Sequence, residues 1–239
     1  MPEARRWKRS DFALDARALA RRLIGALVCR RVGGRVLAGR IVETEAYLGV
    51  RDRGCHTFGG RRTARVEPMY GPPGTAYVYF TYGMHFCFNV VAGAEGEPVA
   101  VLVRSLRPVA GLGQMRRRRT VRGRPPPADE ALCRGPANLC RALGLDRRHS
   151  GLDLAESEEL WIASDDRTGE PAGLCNGPRI GLRNAGAWAR RRLRWWVAGE
   201  ACVSAGRAGP VAQIPRKAPR TPAAGGRGPT ESSGAGRTA

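Results

Sequence analysis

The sequence predicts a mixed α/β (α+β) protein. Three observations carry this: a helix-spaced apolar pattern at 15–31, strand-like runs at 35–48, 76–91 and 99–104, and a second helical region at 129–144. A length of 239 residues suits one domain or two small ones and is enough to bury a substantial core. In order, residues 1–10 read as a basic arm. The helix at 15–31 places Leu19, Leu23 and Leu27 on one face, with Ile24 alongside. Gly33-Gly34 makes a turn into a strand arm at 35–48, whose apolar points are Val36-Leu37 and Ile41-Val42. Residues 49–75 read as loop. Strands follow at 76–82 and 84–91, with Gly83 between them, and a third at 99–104. Residues 105–128 read as a loop with six arginines between Arg116 and Arg124, closed by Pro125-Pro126-Pro127. Residues 129–144 suggest two helices interrupted at Gly135-Pro136, and short strands are expected at Trp161-Ile162 and at 193–197. From Gly206 onward the chain is Gly, Pro, Ala, Arg and Ser, and 206–239 reads as a disordered tail.

Charge narrows the partner. Forty-one basic residues against 21 acidic give a net charge of +20, and Lys8 and Lys217 are the only lysines. The tail holds six basic residues and one acid, so the remaining 205 residues still carry 35 basic against 20 acidic. A field of that sign favours a polyanion, nucleic acid or an anionic membrane face. Seven cysteines without a CxxC pair fit reduced thiols better than a disulfide framework or a zinc knuckle. No apolar signal core follows the basic start, since Asp11, Asp15, Arg17, Arg21 and Arg22 interrupt it. Residues 69–94 lack charge, but their prolines, glycines, His85, Asn89 and four tyrosines read as buried strands and not as a membrane span. A soluble protein inside the cell is expected, cytoplasmic or nucleoid-associated, nuclear in a eukaryote.

Two segments could carry chemistry. In GRIVETEAYL (39–48), strand alternation places Ile41, Glu43, Glu45 and Tyr47 on one face and Val42, Thr44 and Ala46 on the other. Two carboxylates on a buried strand are costly unless something uses them. A general base in a pocket, an E-x-E metal site for phosphoester cleavage through Glu43 and Glu45, and a salt-bridged solvent face all remain open on this pattern. In YVYFTYGMHFCFN (77–89), Tyr77 and Tyr79 point one way and Val78, Phe80 and Tyr82 the other. Phe80, Phe86 and Phe88 are core candidates. Tyr82, beside Gly83 at a hairpin tip, is either core or a wedge between bases. Asn89 would be a buried amide in need of partners. His56 sits in a loop shortly after Tyr47. Arg104 ends an apolar strand and is expected at a rim. The arginines at 116–124 are a phosphate footprint without sequence information. A non-catalytic module stacking single strands on its aromatics is a further reading.

Seven segments, in order, carry a resemblance: GRIVETEAYLG (39–49), His56, PGTAYVYFTYGMHFCFN (73–89), VLVRSLRP (101–108), GLGQMRRRR (111–119), LCRGPANLCRALGL (132–145) and PRIGL…AWARRRLRWWV (178–197). From about residue 15 to residue 204 the chain closely resembles the alkyladenine (3-methyladenine) DNA glycosylases. The resemblance implies a single domain, 11–205, around a curved antiparallel sheet with a hairpin that intercalates in the minor groove. It implies a monofunctional base-excision enzyme, without metal or organic cofactor, acting on duplex DNA containing damaged purines such as 3-methyladenine, 7-methylguanine, hypoxanthine or ethenoadenine; a monomer is expected from the one-domain reading. By motif, Glu45 would activate the attacking water and Arg104 would lie near that water and the target phosphate. Tyr47, His56 and Tyr79 would wall the flipped base, Asn89 would exclude guanine, and Tyr82 would fill the vacated stack. Glu43 receives no catalytic role. His85 and Asn138 depart from the pattern at positions that bear on DNA grip.

Overall fold

The computed structural model describes residues 4–166, 168, 173–204 and 212–213. In chain order its elements are β1 (Arg5–Arg6), α1 (Arg9–Phe12), α2 (Ala16–Leu23), β2 (Leu27–Val32), β3 (Arg35–Tyr47), β4 (Ala76–Thr81), β5 (His85–Val91), β6 (Ala100–Ala110), α3 (Leu112–Arg119), α4 (Asp129–Leu132), α5 (Pro136–Leu143), β7 (Leu160–Ser164), β8 (Leu174–Gly177), β9 (Arg194–Val197) and β10 (Ala212–Gln213). The strands form one open antiparallel sheet in the order β1-β7-β2-β3-β6-β5-β4, with β9 added to β3, β8 to β9 and β10 to β8. The expected mixed α/β fold around an antiparallel sheet is present as a single domain.

Strand β3 is the pivot. Its first half pairs with β2 and residues 43–45 pair with β9, while β6 lies along its other edge. Three irregularities interrupt the β3–β6 ladder, and two of them fall beside Glu43. Ile41 faces Leu106 and Glu43 faces Ser105, which leaves Val42 extra; Thr44 then faces Val103, which leaves Arg104 extra. An extra residue resets the alternation of faces. Ile41 therefore packs in the main core with Ala46, and does not share the face of Glu43 and Glu45 that strict alternation assigned to it.

The single helix expected at 15–31 is a helix followed by a strand. Asp15 caps α2 by accepting from the backbone N–H groups of Arg17 and Ala18, and Leu19, Ala20 and Leu23 bury one face. Gly25, at φ 89°, ends it in a conformation that side chains resist, and Leu27–Val32 continues as β2. The Thr44 hydroxyl donates to the Ala20 carbonyl at 2.9 Å and ties β3 to this helix. The expected loop at 105–128 begins as the second half of β6, and Arg116–Arg119 lie on helix α3. The helix pair broken at Gly135-Pro136 is present, with Pro136 opening α5.

The expected basic arm is tied to the domain: Arg5–Arg6 pair with β7, and Trp7 is buried against Phe12. The tail read as disordered lies outside the described residues except for β10. All seven cysteines are buried and free. Among the described residues no helix is long and apolar enough to cross a membrane.

Candidate active site

The site lies where β3, β4, β5 and β6 run side by side, closed by the loop at 52–56 and the segment at 179–182. Between them is a cavity of about 350 Å³, within the size range of small-molecule pockets. Tyr47, His56, Tyr79, Asn89 and Arg104 line it, and Tyr82 stands at its edge. The four expected pocket residues, Arg104 and the expected wedge thus meet in one place, although they come from four strands, a hairpin tip and a loop.

Glu45 is fully buried behind this wall, and its three polar partners all line the cavity. Its Oε1 accepts from the Ile180 backbone N–H at 2.7 Å and forms an ion pair with Arg104 Nη1 at 3.1 Å. Its Oε2 accepts from the Tyr47 hydroxyl at 2.9 Å. A carboxylate oxygen offers about two acceptor positions, so Oε2, with the Tyr47 hydroxyl as its one donor, keeps one free. Burial, and then the Glu45 charge, raise the Tyr47 phenol well above its ordinary value, so it stays an O–H donor. Behind Tyr47 the Arg179 guanidinium lies 4.6 Å from the ring centroid.

The opposite wall is Tyr79 and His56, whose rings meet edge-on at 4.6 Å. His56 Nδ1 is 2.9 Å from the Tyr77 hydroxyl. Burial, assisted by Arg65 and Arg61, lowers the His56 imidazole to about 4. It is therefore neutral near pH 7. Asn89 is buried, and its Nδ2 donates to the Tyr77 carbonyl at 3.0 Å, which fixes the amide.

Tyr82 is 83% exposed. It has φ 51°, the only positive φ outside glycine among the described residues, and Gly83 follows at 67°. The Met84 N–H donates to the Thr81 carbonyl at 3.3 Å, so Tyr82 and Gly83 are the central residues of a tight turn, and with Thr81 paired to His85 the loop spans Tyr82, Gly83 and Met84. A tyrosine there is strained and extended into solvent, which stabilises no core, so a functional use is the economical explanation. Met84 beside it is 70% exposed, and Phe80, expected in the core, is 37% exposed.

Arg104 is not at a rim. It lies within β6, 7% exposed, as the extra residue of the ladder irregularity. Burial opposes its charge, but Glu45 and Glu43 raise its pKa above the ordinary arginine value. Glu43, the other carboxylate of the E-x-E pair, is saturated by Arg104, Arg194, Ser105 and Ser204. With its lone pairs taken it has nothing to offer a metal ion, so the pair does not function as two ligands. Among the described residues no group of three or more His, Cys, Asp or Glu is placed to hold one.

Sequence reasoning missed four contributors: Asp52, Arg179, the Ile180 N–H and Ser204. Asp52 and Arg179 form a fully buried pair at 2.5 and 2.7 Å that sets the segment carrying Ile180. The partners are 127 residues apart, and nothing local marks either of them. Arg179 fell within a recognised motif, but its side chain drew no notice.

An aromatic cavity backed by a buried carboxylate, on so basic a protein, marks a hydrolase that works on nucleic acid. Comparison with known proteins agrees. The family model for methylpurine-DNA glycosylase matches residues 10–201. A probable DNA-3-methyladenine glycosylase of Encephalitozoon cuniculi is 42% identical over 195 residues, covering 81% of this chain and 90% of its own. The human DNA-3-methyladenine glycosylase is 40% identical over 198 residues, 81% of this chain and 66% of its own. A putative 3-methyladenine DNA glycosylase of Myxococcus xanthus is 44% identical over 197 residues, 82% of this chain and 92% of its own. The chain belongs to the methylpurine-DNA glycosylase family. It is accordingly a DNA glycosylase of base-excision repair, a hydrolase of N-glycosyl bonds.

Proposed function

We propose that the protein flips alkylated or deaminated purines out of duplex DNA and hydrolyses their N-glycosidic bond with a water activated by Glu45. The observation that carries this reading is the free acceptor position on Glu45 Oε2, behind an aromatic-walled cavity. In the reaction, water forms the bond to the anomeric carbon and gives a proton to Glu45. The electrons of the breaking C–N bond pass to the purine. For 3-methyladenine or 7-methylguanine these electrons neutralise the positive charge of alkylation, so the base leaves readily. The same charge strengthens stacking on the faces of Tyr47 and Tyr79. Hypoxanthine and ethenoadenine are neutral and rely on the stack and on leaving-group protonation. Arg104 holds the Glu45 carboxylate and lies close to the attacking water and the target phosphate.

Flipping costs a few kcal/mol, least for damaged bases. Tyr82 offsets part of that by filling the gap. Tyr82→Ala is expected to weaken capture of lesion duplex by about tenfold, since stacking on one aromatic contributes about 1–3 kcal/mol. Titration of a labelled lesion duplex measures it, and unchanged affinity removes the wedge role. Asn89, fixed by the Tyr77 carbonyl, occupies the space a 2-amino group needs beside the purine. Asn89→Gly should raise guanine release from undamaged DNA severalfold, read as alkali-labile sites at guanine; an unchanged rate counts against the exclusion.

The working unit is the domain expected at 11–205 together with the segment before it that pairs with β7, acting as a monomer inside the cell, with the basic stretch at 206–239 adding non-specific attraction to DNA. The test is a lesion duplex incubated in EDTA, then treated with or without hot alkali. Strand breaks at the lesion only after alkali, and none with Glu45→Gln, support the reading. Breaks without alkali, or full activity of Glu45→Gln, overturn it. Salt-sensitive binding with no product would favour the binding-module reading.

A further inference from the structure

We propose that Glu43, closed over by Ser204, is a positioning residue for base release: it fixes the direction in which Arg104 presents its guanidinium to Glu45. The proposal rests on the reading of Glu45 as the general base.

Glu43 has no exposed surface. Its Oε1 accepts from Arg104 Nε at 2.9 Å, Arg194 Nε at 2.7 Å and the Ser204 hydroxyl at 2.9 Å. Its Oε2 accepts from the Ser105 hydroxyl at 2.9 Å and the Ser204 backbone N–H at 2.8 Å. Five donors exceed the carboxylate's about four lone-pair positions, so none is left for another partner. Burial pulls the Glu43 carboxyl up, but Arg104, Arg194 and Ser204 together hold it below its ordinary value, so it stays charged.

The ladder irregularity explains why so many donors converge. Ser105 pairs opposite Glu43 and Arg104 is the extra residue, so two consecutive β6 side chains both reach the same carboxylate. Arg104 then has each nitrogen committed: Nε to Glu43, Nη2 to the Ser204 hydroxyl at 3.2 Å, and Nη1 to Glu45. A guanidinium is planar and rigid, so holding Nε and Nη2 determines where Nη1 points. Arg194 shares Glu43 and lies over the Trp196 ring at 4.4 Å. The two carboxylates and two guanidiniums sum to zero charge, the condition for burying them together. If Glu43 lost its charge, Arg104 would be free to turn toward Glu45. The carboxylate would then accept a proton less readily and sit in the wrong place.

The experiment uses the full chain and a duplex with one 7-methylguanine. It reads the maximal single-turnover rate of base release and the enzyme concentration giving half that rate. Ser204→Ala removes both hydroxyl contacts and leaves the backbone one. It is expected to lower the maximal rate about three- to tenfold with the half-saturating concentration within twofold. Ser204→Thr, which keeps the oxygen, should restore the rate. Glu43→Gln is expected to lower the maximal rate at least tenfold with the same split; should it fail to fold, the Ser204 pair decides. A structural role alone would not confine the loss to the maximal rate or be rescued by threonine. Wild-type maximal rates in Ser204→Ala, or a loss confined to the half-saturating concentration, with Glu45→Gln inactive, would overturn the positioning role by itself. A fully active Glu45→Gln would instead remove the general-base reading beneath it.

Discussion

Replacing Glu45 with glutamine is expected to lower the rate of base release by about 10²–10⁴-fold, the span a positioned general base commonly supplies, with lesion DNA still captured. The local hydrogen bonds show why this variant isolates chemistry from folding. The amide oxygen of glutamine can take the place of Oε1 and accept from the Ile180 N–H and from Arg104. Its NH₂ group then faces the Tyr47 hydroxyl, which can rotate from donor to acceptor. The Ile180 N–H and Arg104 keep an oxygen facing them, so the cavity and its aromatic walls are retained. What is lost is the acceptor position for the water's proton. Glu45→Ala would remove the acceptor and also leave the Ile180 N–H and Arg104 facing a void, so it is the less informative variant. Single-turnover release of a damaged base and direct titration of the same duplex separate the two effects. Loss of affinity in step with loss of rate would mean that Glu45 acts in binding.

Much of this site was legible in the sequence because strands alternate. Tyr77 and Tyr79 line the cavity together, and Glu45 lies beside Tyr47, as period-two alternation requires. The same rule failed at Ile41, for a definite reason. An extra residue in a ladder is set by the partner strand and by the packing beneath it, neither of which is written locally. Strict alternation therefore puts Ile41 with the carboxylates, whereas it is core; Arg104, expected at a rim because it ends an apolar run, is buried between Glu43 and Glu45 because the strand continues to Ala110. The apolar positions at 15–31 satisfied helical spacing through Leu27, yet Gly25 turns the chain and the rest is strand. His56 could be placed only through the order of the motifs, since a loop histidine has no periodicity. Ser204 and Arg194 reach Glu43 from 161 and 151 residues away, and only the fold brings them there.

Asp52→Ala is expected to cost about 3–5 kcal/mol of stability, the usual consequence of stripping one partner from a buried ion pair. Neither Asp52 nor Arg179 has side-chain exposure. Burial opposes the Arg179 charge, and Asp52 beside it more than compensates, so the guanidinium stays charged and needs its partner. Asp52 also accepts from the backbone N–H groups of Leu48 at 3.0 Å and Gly54 at 2.9 Å. Alanine would leave these two donors, as well as the guanidinium, without their acceptor. Arg179→Met should cost less, because Asp52 keeps its two backbone donors, although Tyr47 loses the cation behind its ring. The double variant should fall between the wild type and Asp52→Ala: the unpaired charge is gone, but the Leu48 and Gly54 donors remain bare. Urea unfolding of the four proteins gives these differences directly. The consequence reaches the chemistry as well, because Arg179 Nη1 also donates to the Ala46 carbonyl at 2.9 Å, between Glu45 and Tyr47. The next residue, Ile180, supplies the N–H that holds Glu45 Oε1. Base release by Arg179→Met should therefore slow even where the protein remains folded. If Asp52→Ala unfolds within 1 kcal/mol (roughly the worth of a surface pair) of the wild type, the buried pair is not what fixes this side of the site.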